Sequence, residues 1–422
     1  MQNAECRIRT RGDRGQGTGD GGYEETGVAR GRDLQKLKRG AGVAFTLLLC
    51  CDMFFNADVL ISALYEDAGY RPYASWSEAY ELTEPAIDEI LSMGSGFYRI
   101  EKDYQRTYND SIAFGYNSIS HYSSAYKKGT IDLLRNLGMW QNWFRSSGRG
   151  STIVTDALFS VKYRLSRADI MPGYDKLFTM NGISVFENPY AFPVAVMSQL
   201  HPLDYSNPFL LQNSFVRGIH PSVGDVFYPA PFTVTTQMNG DQPVRAVYRI
   251  SAVADGPLYL YMDTARAFFN ASVYVEGRLI GSTYEEYSVN NMFSLGDYPP
   301  GAVIEVTLDL HDKSIKTDGH LAYQLDAAKM GDTAVIAQLN GLEVDRVYAN
   351  GLTGTINAPD GGWLYTSIPY DEGWRLTVDG RRIETASYAG ALLCAYMPAG
   401  AHSITLRFTP PGLILEIGRA HV

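Results

Sequence analysis

The residues best suited by type to contact a hydroxyl-rich ligand fall in two stretches. In QRTYNDSIAFGYNSISHYSS (105–124), His121 lies among Asn109, Asn117, Tyr122 and Ser124. Amides, hydroxyls and an imidazole can all hydrogen-bond to glycans. The same Asn and Ser side chains can instead satisfy the backbone of a long loop, and that alternative stands beside the first. Further on, Trp363, Tyr370 and Trp374 offer aromatic faces for CH–π contact with sugar rings. Trp and Tyr at such spacing in a β-sandwich also serve as core or corner residues. Asn117, His121, Tyr122, Trp363 and Trp374 are therefore the candidate binding residues. His402, before an alternating strand, reads as an ordinary edge residue. Glu187-Asn188-Pro189 offers a carboxylate, but no partner can be placed at the roughly 5–10 Å that glycoside hydrolysis needs. A turn capping a strand end is the better reading there. The chain has no P-loop, no GxGxxG after a strand, no HExxH and no GxSxG. No catalytic residue, metal ligand or cofactor is assigned.

These residues sit in a chain of 422 residues with 46 acidic and 36 basic side chains and 45% hydrophobic content. That length is ample for several cores. A charged fraction of 19% with 12% aromatics excludes a wholly disordered chain or a coiled coil. A net charge of −10 argues against a nucleic-acid partner. The charge is uneven. Residues 1–40 hold nine Lys/Arg and six Asp/Glu, whereas the rest carries a balance of −13. Of the cysteines, Cys6, Cys50, Cys51 and Cys394, none has metal-ligand spacing and no disulfide framework is expected.

Residues 1–40 are basic, Gly/Arg-rich and without apolar periodicity, and read as disordered. Lys36-Leu37-Lys38-Arg39 then precedes the apolar run 41–64. From Ala41 to Phe55 its only charge is Asp52. Three readings are open. A transmembrane helix would leave the basic cluster in the cytoplasm and everything after it outside. A signal peptide could be cut near Ile61-Ser62-Ala63, but about 40 residues is too long for an n-region. A buried core helix is the third. Asp52, Asn56 and Asp58 suit an outer membrane interface better than a bilayer centre. The membrane lipid bilayer is the expected partner of this stretch.

The remainder reads as α+β, mainly β. Residues 65–210 are expected to form a small α/β domain. It has a helix near Glu84–Met93, a strand at 97–102, a helix over 125–139 and strands at 156–166, 183–189 and 193–198. Residues 215–340 read as a β-sandwich built from RAVYRISAV, PLYLYMDT, SVYVEGRLIG, VIEVTLDL and AVIAQLN. Residues 343–412 read as a second sandwich, in which Asp379-Gly380 is a hairpin turn.

The order of several segments resembles the bacterial YfhO family of multi-spanning membrane proteins. SIPYDEGWRLTVDGRRIE (367–384) and MPAGAHSITLRFTPPG (397–412) carry the similarity through Tyr370, Asp371, Gly373, Trp374, Asp379, Gly380, Pro398, Ala399, Gly400, His402 and Phe408. FYRIE (97–101), VKYRL (161–165) and VFENPYAFPVAVM (185–197) agree with it, and so does the apolar span with Asp52 and Asn56. The resemblance implies a GT-C type, glycosyltransferase-like protein. It would glycosylate cell-envelope polymers such as lipoteichoic acid from polyprenyl-phosphate sugars. The chain would be an extracytoplasmic C-terminal portion, located at the cell membrane. The family's catalytic carboxylate is expected in an early loop that this sequence does not contain, so the sugar carrier and polymer acceptor would be engaged through a missing membrane part.

Two further expectations follow. Residues 413–422 read as the truncated start of a membrane helix, which GLIL (412–415) begins, ending in EIGRAHV (416–422), a translation of a common sequencing adapter. Longer reads across the locus are expected to replace those seven residues with a continuing apolar span; genomic DNA encoding them followed by a stop would overturn this. The competing functional readings are a stand-alone membrane-anchored or secreted carbohydrate-binding protein, and a glycosidase whose carboxylate pair is unidentified.

Overall fold

The computed structural model describes residues 25–67, 73–141, 144–262, 270–285, 288–311 and 319–413. Residues 1–24 and 414–422, which include the expected adapter-derived end, lie outside them. The fold is mainly β, 40% strand and 26% helix, as the sequence implies. Two units are distinguished, Met1–Trp76 and Ser77–Val422.

The first unit is dominated by one helix, Glu25–Asp67. It begins inside the segment expected to lack structure, because Ala, Arg, Leu, Gln and Lys between 29 and 39 are good helix formers. Its Lys38–Leu64 stretch spans 27 residues at a mean hydropathy of 1.8, and all of it is exposed. At about 1.5 Å per residue it is roughly 40 Å long, enough to cross a hydrocarbon core of about 30 Å.

In the second unit, Arg99–Lys102 and Val161–Ser166 pair in parallel and are continued antiparallel by Ile183–Glu187 and Asp175–Met180. Ala86, Ile87 and Ile90, from the helix Tyr73–Met93, pack on Ile100, Tyr163, Leu165 and Val185 of this sheet. The expected single strand over 156–166 is in fact a helix, Ile153–Leu158, followed by the strand Val161–Ser166. Thr152 and Thr155 exchange side-chain to backbone hydrogen bonds and start that helix. Ser160, at φ 57°, breaks the chain direction between the two elements.

The first sandwich packs a five-stranded sheet, with Val303–Leu310 at its centre, on a four-stranded sheet containing Gly256–Tyr261. AVIAQLN, expected as a strand, belongs to the helix Ala327–Leu339. Asp326 caps that helix by accepting a hydrogen bond from the Lys329 N–H at 3.1 Å.

The second sandwich packs a sheet centred on Gly400–Phe408 against one ordered Thr385–Tyr388, Leu392–Met397, Gly362–Pro369, Ala195–Ser198. Its last strand comes from far upstream, in the register Leu364↔Met197 and Thr366↔Ala195. Asp379 and Gly380, at φ 49° and 80°, form the expected hairpin turn.

The helix Pro208–Ile219, not foreseen from sequence, is buried on nearly every side. Phe209 and Phe215 meet Phe227, Tyr259 and Tyr323 of the first sandwich and Tyr365 of the second. Its polar side chains are satisfied internally. Gln212 accepts from the Thr152 hydroxyl at 2.6 Å and donates to the Leu137 carbonyl at 3.2 Å. Asn213 accepts from the N–H groups of Val226 and Phe227 and donates to the Phe227 carbonyl.

A buried ion pair ties the helix Ile153–Leu158 to the sheet. The Arg164 guanidinium grips the Asp156 carboxylate by Nε and Nη2, and Tyr174 donates its hydroxyl to the same carboxylate. Burial alone would weaken the Arg164 charge, but the Asp156 carboxylate reverses that and raises its pKa well above the usual value. Asp156→Asn would leave Arg164 charged and uncompensated, a loss of about 3–5 kcal/mol for a buried pair. A large drop in the denaturation midpoint of the full chain is expected; an unchanged midpoint would show that the pair does not hold this layer.

Candidate functional site

The Asn/Ser loop is organised around a buried carboxylate. Glu101 is 0% exposed. Its Oε1 accepts from the Ser118 hydroxyl and from the N–H groups of Ile119 and Ser120, and its Oε2 accepts from the Ser120 hydroxyl at 2.7 Å. Much of the loop's polar capacity is thus turned inward. Lys102 and Asp110 form a second buried pair at 2.8 Å beside it. Asp110 also takes the N–H groups of Arg106 and Thr107 and is the first residue of a short helix, Asp110–Phe114, inside the expected loop.

Of the candidates in this stretch, Asn117 is exposed and donates to the Tyr98 carbonyl at 3.3 Å. His121 and Tyr122 form a two-residue strand paired with Arg145–Ser146. Burial lowers the His121 pKa from its usual value and so disfavours the charged ring. It stands edge-on to Tyr126 at 5.8 Å. Tyr122 is 47% exposed, and Asn109 clasps its backbone N–H at 2.7 Å and its carbonyl at 3.3 Å. The Arg145 guanidinium lies 6.0 Å from the Tyr122 ring and 5.0 Å from Tyr108, which stacks on Trp140. Phe144 lies beside Tyr122. The fold therefore brings Asn109, His121 and Tyr122 together and adds Arg145 and Phe144, which sequence reasoning missed. The aromatic run around Trp140 was the available signal. Asn117 turns instead toward Tyr98, just before the strand that carries Glu101.

The two tryptophans lie on different sheets of the second sandwich. Trp363 meets Tyr396 edge-on at 5.7 Å, and Tyr396 is 60% exposed. Trp374 packs against the sandwich core, donates its indole N–H to the Pro369 carbonyl at 3.1 Å and sits 5.1 Å from Phe408. It is half-buried and also walls a surface hollow of about 460 Å³ with Tyr370, Glu372, Arg382 and Glu384. Those three charged residues surround the hairpin that the sequence did reveal, but their convergence on Trp374 was not legible. Asn188 confirms the turn reading at 187–189: its carbonyl oxygen accepts from the Tyr190 N–H at 2.9 Å, and Glu187 pairs with Lys162.

His402 is not at a sheet edge. Its strand, Gly400–Phe408, runs between Gly351–Ala358 and Trp374–Val378. Its Nδ1 pairs with Asp379 Oδ2 at 2.7 Å, clamping the hairpin turn. Among the described residues no group of three or more His, Cys, Asp or Glu could hold a metal ion.

A bilayer-length apolar helix and a large β-rich unit are the parts of a membrane protein with a substantial globular portion. The chain belongs to the family described as bacterial membrane protein YfhO, whose model matches residues 32–418. No curated protein matches it. Among solved structures it is similar to a GH2 beta-galacturonidase from Eisenbergiella tayi, at 12% identity and a TM-score of 0.15, over 44% of this chain and 38% of that one. It is also similar to a cycloisomaltooligosaccharide glucanotransferase from Paenibacillus sp., at 9% identity and a TM-score of 0.12, over 42% and 45% of the two chains. A vicilin from Corylus avellana (hazelnut) follows at 8% identity and a TM-score of 0.10, over 43% and 85%. Likeness at these TM-scores carries no argument about fold or activity.

The His402–Asp379 clamp has a defined pH signature. The hydrogen bond that His402 donates to the Asp379 carboxylate raises the His402 pKa and lowers that of Asp379. The histidine's contribution is full below its unfolded pKa of about 6.5 and is lost as pH rises through the higher folded value. The aspartate's contribution is present above about pH 4 and is lost as pH falls through its lower folded value. Compared with the parent, His402→Gln is expected to lower Tm most near pH 5–6 and least at pH 9. A Tm difference independent of pH would count against the clamp.

Proposed function

We propose that the chain is the extracytoplasmic portion of a GT-C type, glycosyltransferase-like membrane protein. In this reading the protein takes sugars from polyprenyl-phosphate carriers and glycosylates cell-envelope polymers such as lipoteichoic acid. The observation that carries the proposal is the family match over residues 32–418. Orientation is supported by Lys36, Lys38 and Arg39 at the N-terminal end of the apolar stretch, with an acidic body after it. The two sandwiches shape or gate the acceptor site; transfer chemistry belongs to a membrane part of the full protein, and no residue of this chain is given a catalytic role. Exposed aromatics at Tyr122, Tyr396 and the Trp374 hollow support contact with saccharide.

Alkaline phosphatase fused after Thr409 is expected to be active in a bacterial host, and a fluorescent protein at the same point dark. The opposite pattern overturns the orientation. Deleting the gene in its host is expected to strip hexose from an envelope polymer, read by sugar analysis, with recovery on complementation by the intact gene. Unchanged polymer composition overturns the glycosylation reading.

A further inference from the structure

The hollow beside Trp374 opens next to a second one. The larger, about 460 Å³, is walled by Tyr370 and Trp374 and rimmed by Glu384. The smaller, about 300 Å³, is formed by Arg375 and the run Thr409, Pro410, Pro411, Gly412. Glu372 and Arg382 line both.

The shared wall is held rigidly. Asp371 Oδ1 accepts from the Gly373 N–H at 2.8 Å, and its other oxygen pairs with Lys127 at 2.6 Å. The Gly373 carbonyl accepts from the Thr409 N–H at 3.0 Å. A Cβ at position 373 would fall 2.4 Å from the Thr409 carbonyl oxygen, so only glycine permits this approach.

The charges around the hollows are exposed and unspent. Among the described residues, the side chains of Glu372, Arg375, Arg382 and Glu384 enter no ion pair or hydrogen bond. The neighbouring charges Asp371 and Arg407 are both engaged, Asp371 with Lys127 and Arg407 at 3.6 Å over the Tyr348 ring. Arg375 also stands directly opposite Arg407 in the strand ladder. Like charges facing each other across a ladder are unfavourable, and an anion on Arg375 relieves that repulsion. The two hollows differ in sign. The larger sets two carboxylates against one guanidinium; the smaller sets two guanidiniums against one carboxylate.

We propose that the two hollows, which share Glu372 and Arg382, together bind a glycosyl phosphate. The sugar ring lies on Trp374 and Tyr370 with its hydroxyls donating to Glu372 and Glu384, and the phosphate sits between Arg375 and Arg382. A half-buried indole beside carboxylates suits a neutral hydroxyl-rich ring, and paired guanidiniums suit phosphate. The proposal deepens the function proposed above and rests on that reading for its setting. The same chemistry occurs in a carrier-linked sugar phosphate and in a glycosylated polyol-phosphate polymer.

The test uses the full chain in lipid nanodiscs and four probes: methyl glucoside, glycerol 1-phosphate, glucose 1-phosphate and glucosylglycerol phosphate. At least one of the last two is expected to bind about tenfold more tightly than either single-group probe, because linked groups add their contacts. Tighter glucose 1-phosphate points to the carrier as source, and tighter glucosylglycerol phosphate to the polymer. Arg375→Gln is expected to remove about fivefold to tenfold of that advantage and leave methyl glucoside unchanged. Glu384→Gln, at an exposed position, is expected to weaken every sugar-bearing probe. No preference for the joined probes in the parent, or the parent's preference retained in Arg375→Gln, overturns the proposal. Intact binding in a protein whose deletion leaves envelope sugar unchanged would sink the functional reading and not the groove; the reverse result would sink the groove alone.

Discussion

The second unit depends on a helix, Pro208–Ile219, that water scarcely reaches. A helix buried on almost every side must satisfy its own polar side chains or be destabilised by about 1–3 kcal/mol for each orphan. Gln212 and Asn213 meet that condition through Thr152, Leu137, Val226 and Phe227. Those partners lie before and after the helix in the chain. The helix is therefore stable only where these segments are already assembled around it. Its Phe209 and Phe215 place both sandwiches against one shared apolar core.

A second long-range tie acts through the backbone. Ala195–Ser198 completes a sheet whose other strands lie beyond residue 361. Arg99 strengthens the same junction by donating to Ser367 Oγ at 2.8 Å and to the Ser367 carbonyl at 3.1 Å. Burial pulls the Arg99 pKa down to about 10, still far above neutrality, so the group remains a charged donor. With the layers so fixed, chemistry is left to the rims, where turns and short edge strands present side chains that packing does not use. The Tyr122 cluster and the Trp374 hollows are both of this kind.

Local patterns were legible where local physics decides. The Asp379-Gly380 turn needs two positive φ values in sequence, which few residue pairs supply. The apolar run 41–64 and the alternating strands of both sandwiches follow from periodicity alone. AVIAQLN was misread because its β-branched, apolar residues suit either element, and the deciding cap, Asp326, lies eight residues earlier. The 156–166 run was misread for the same reason, its Thr152 cap lying outside the window. Among the site candidates, His121 and Tyr122 proved adjacent because they are adjacent in sequence. Arg145 joined them only through strand pairing.

By itself, then, the sequence determined the apolar helix, the mainly β character and the turn chemistry, because each rests on a local residue pattern, and it determined the family through the order of such patterns along the chain. Tertiary structure alone decided which polar groups stay available. Glu101 and the Asn/Ser loop consume one another, His402 is taken by Asp379, and Glu372, Arg375, Arg382 and Glu384 are left open to solvent around Trp374. The physical reason is that whether a side chain is spent on the fold depends on partners that burial and sheet register bring to it from tens or hundreds of residues away.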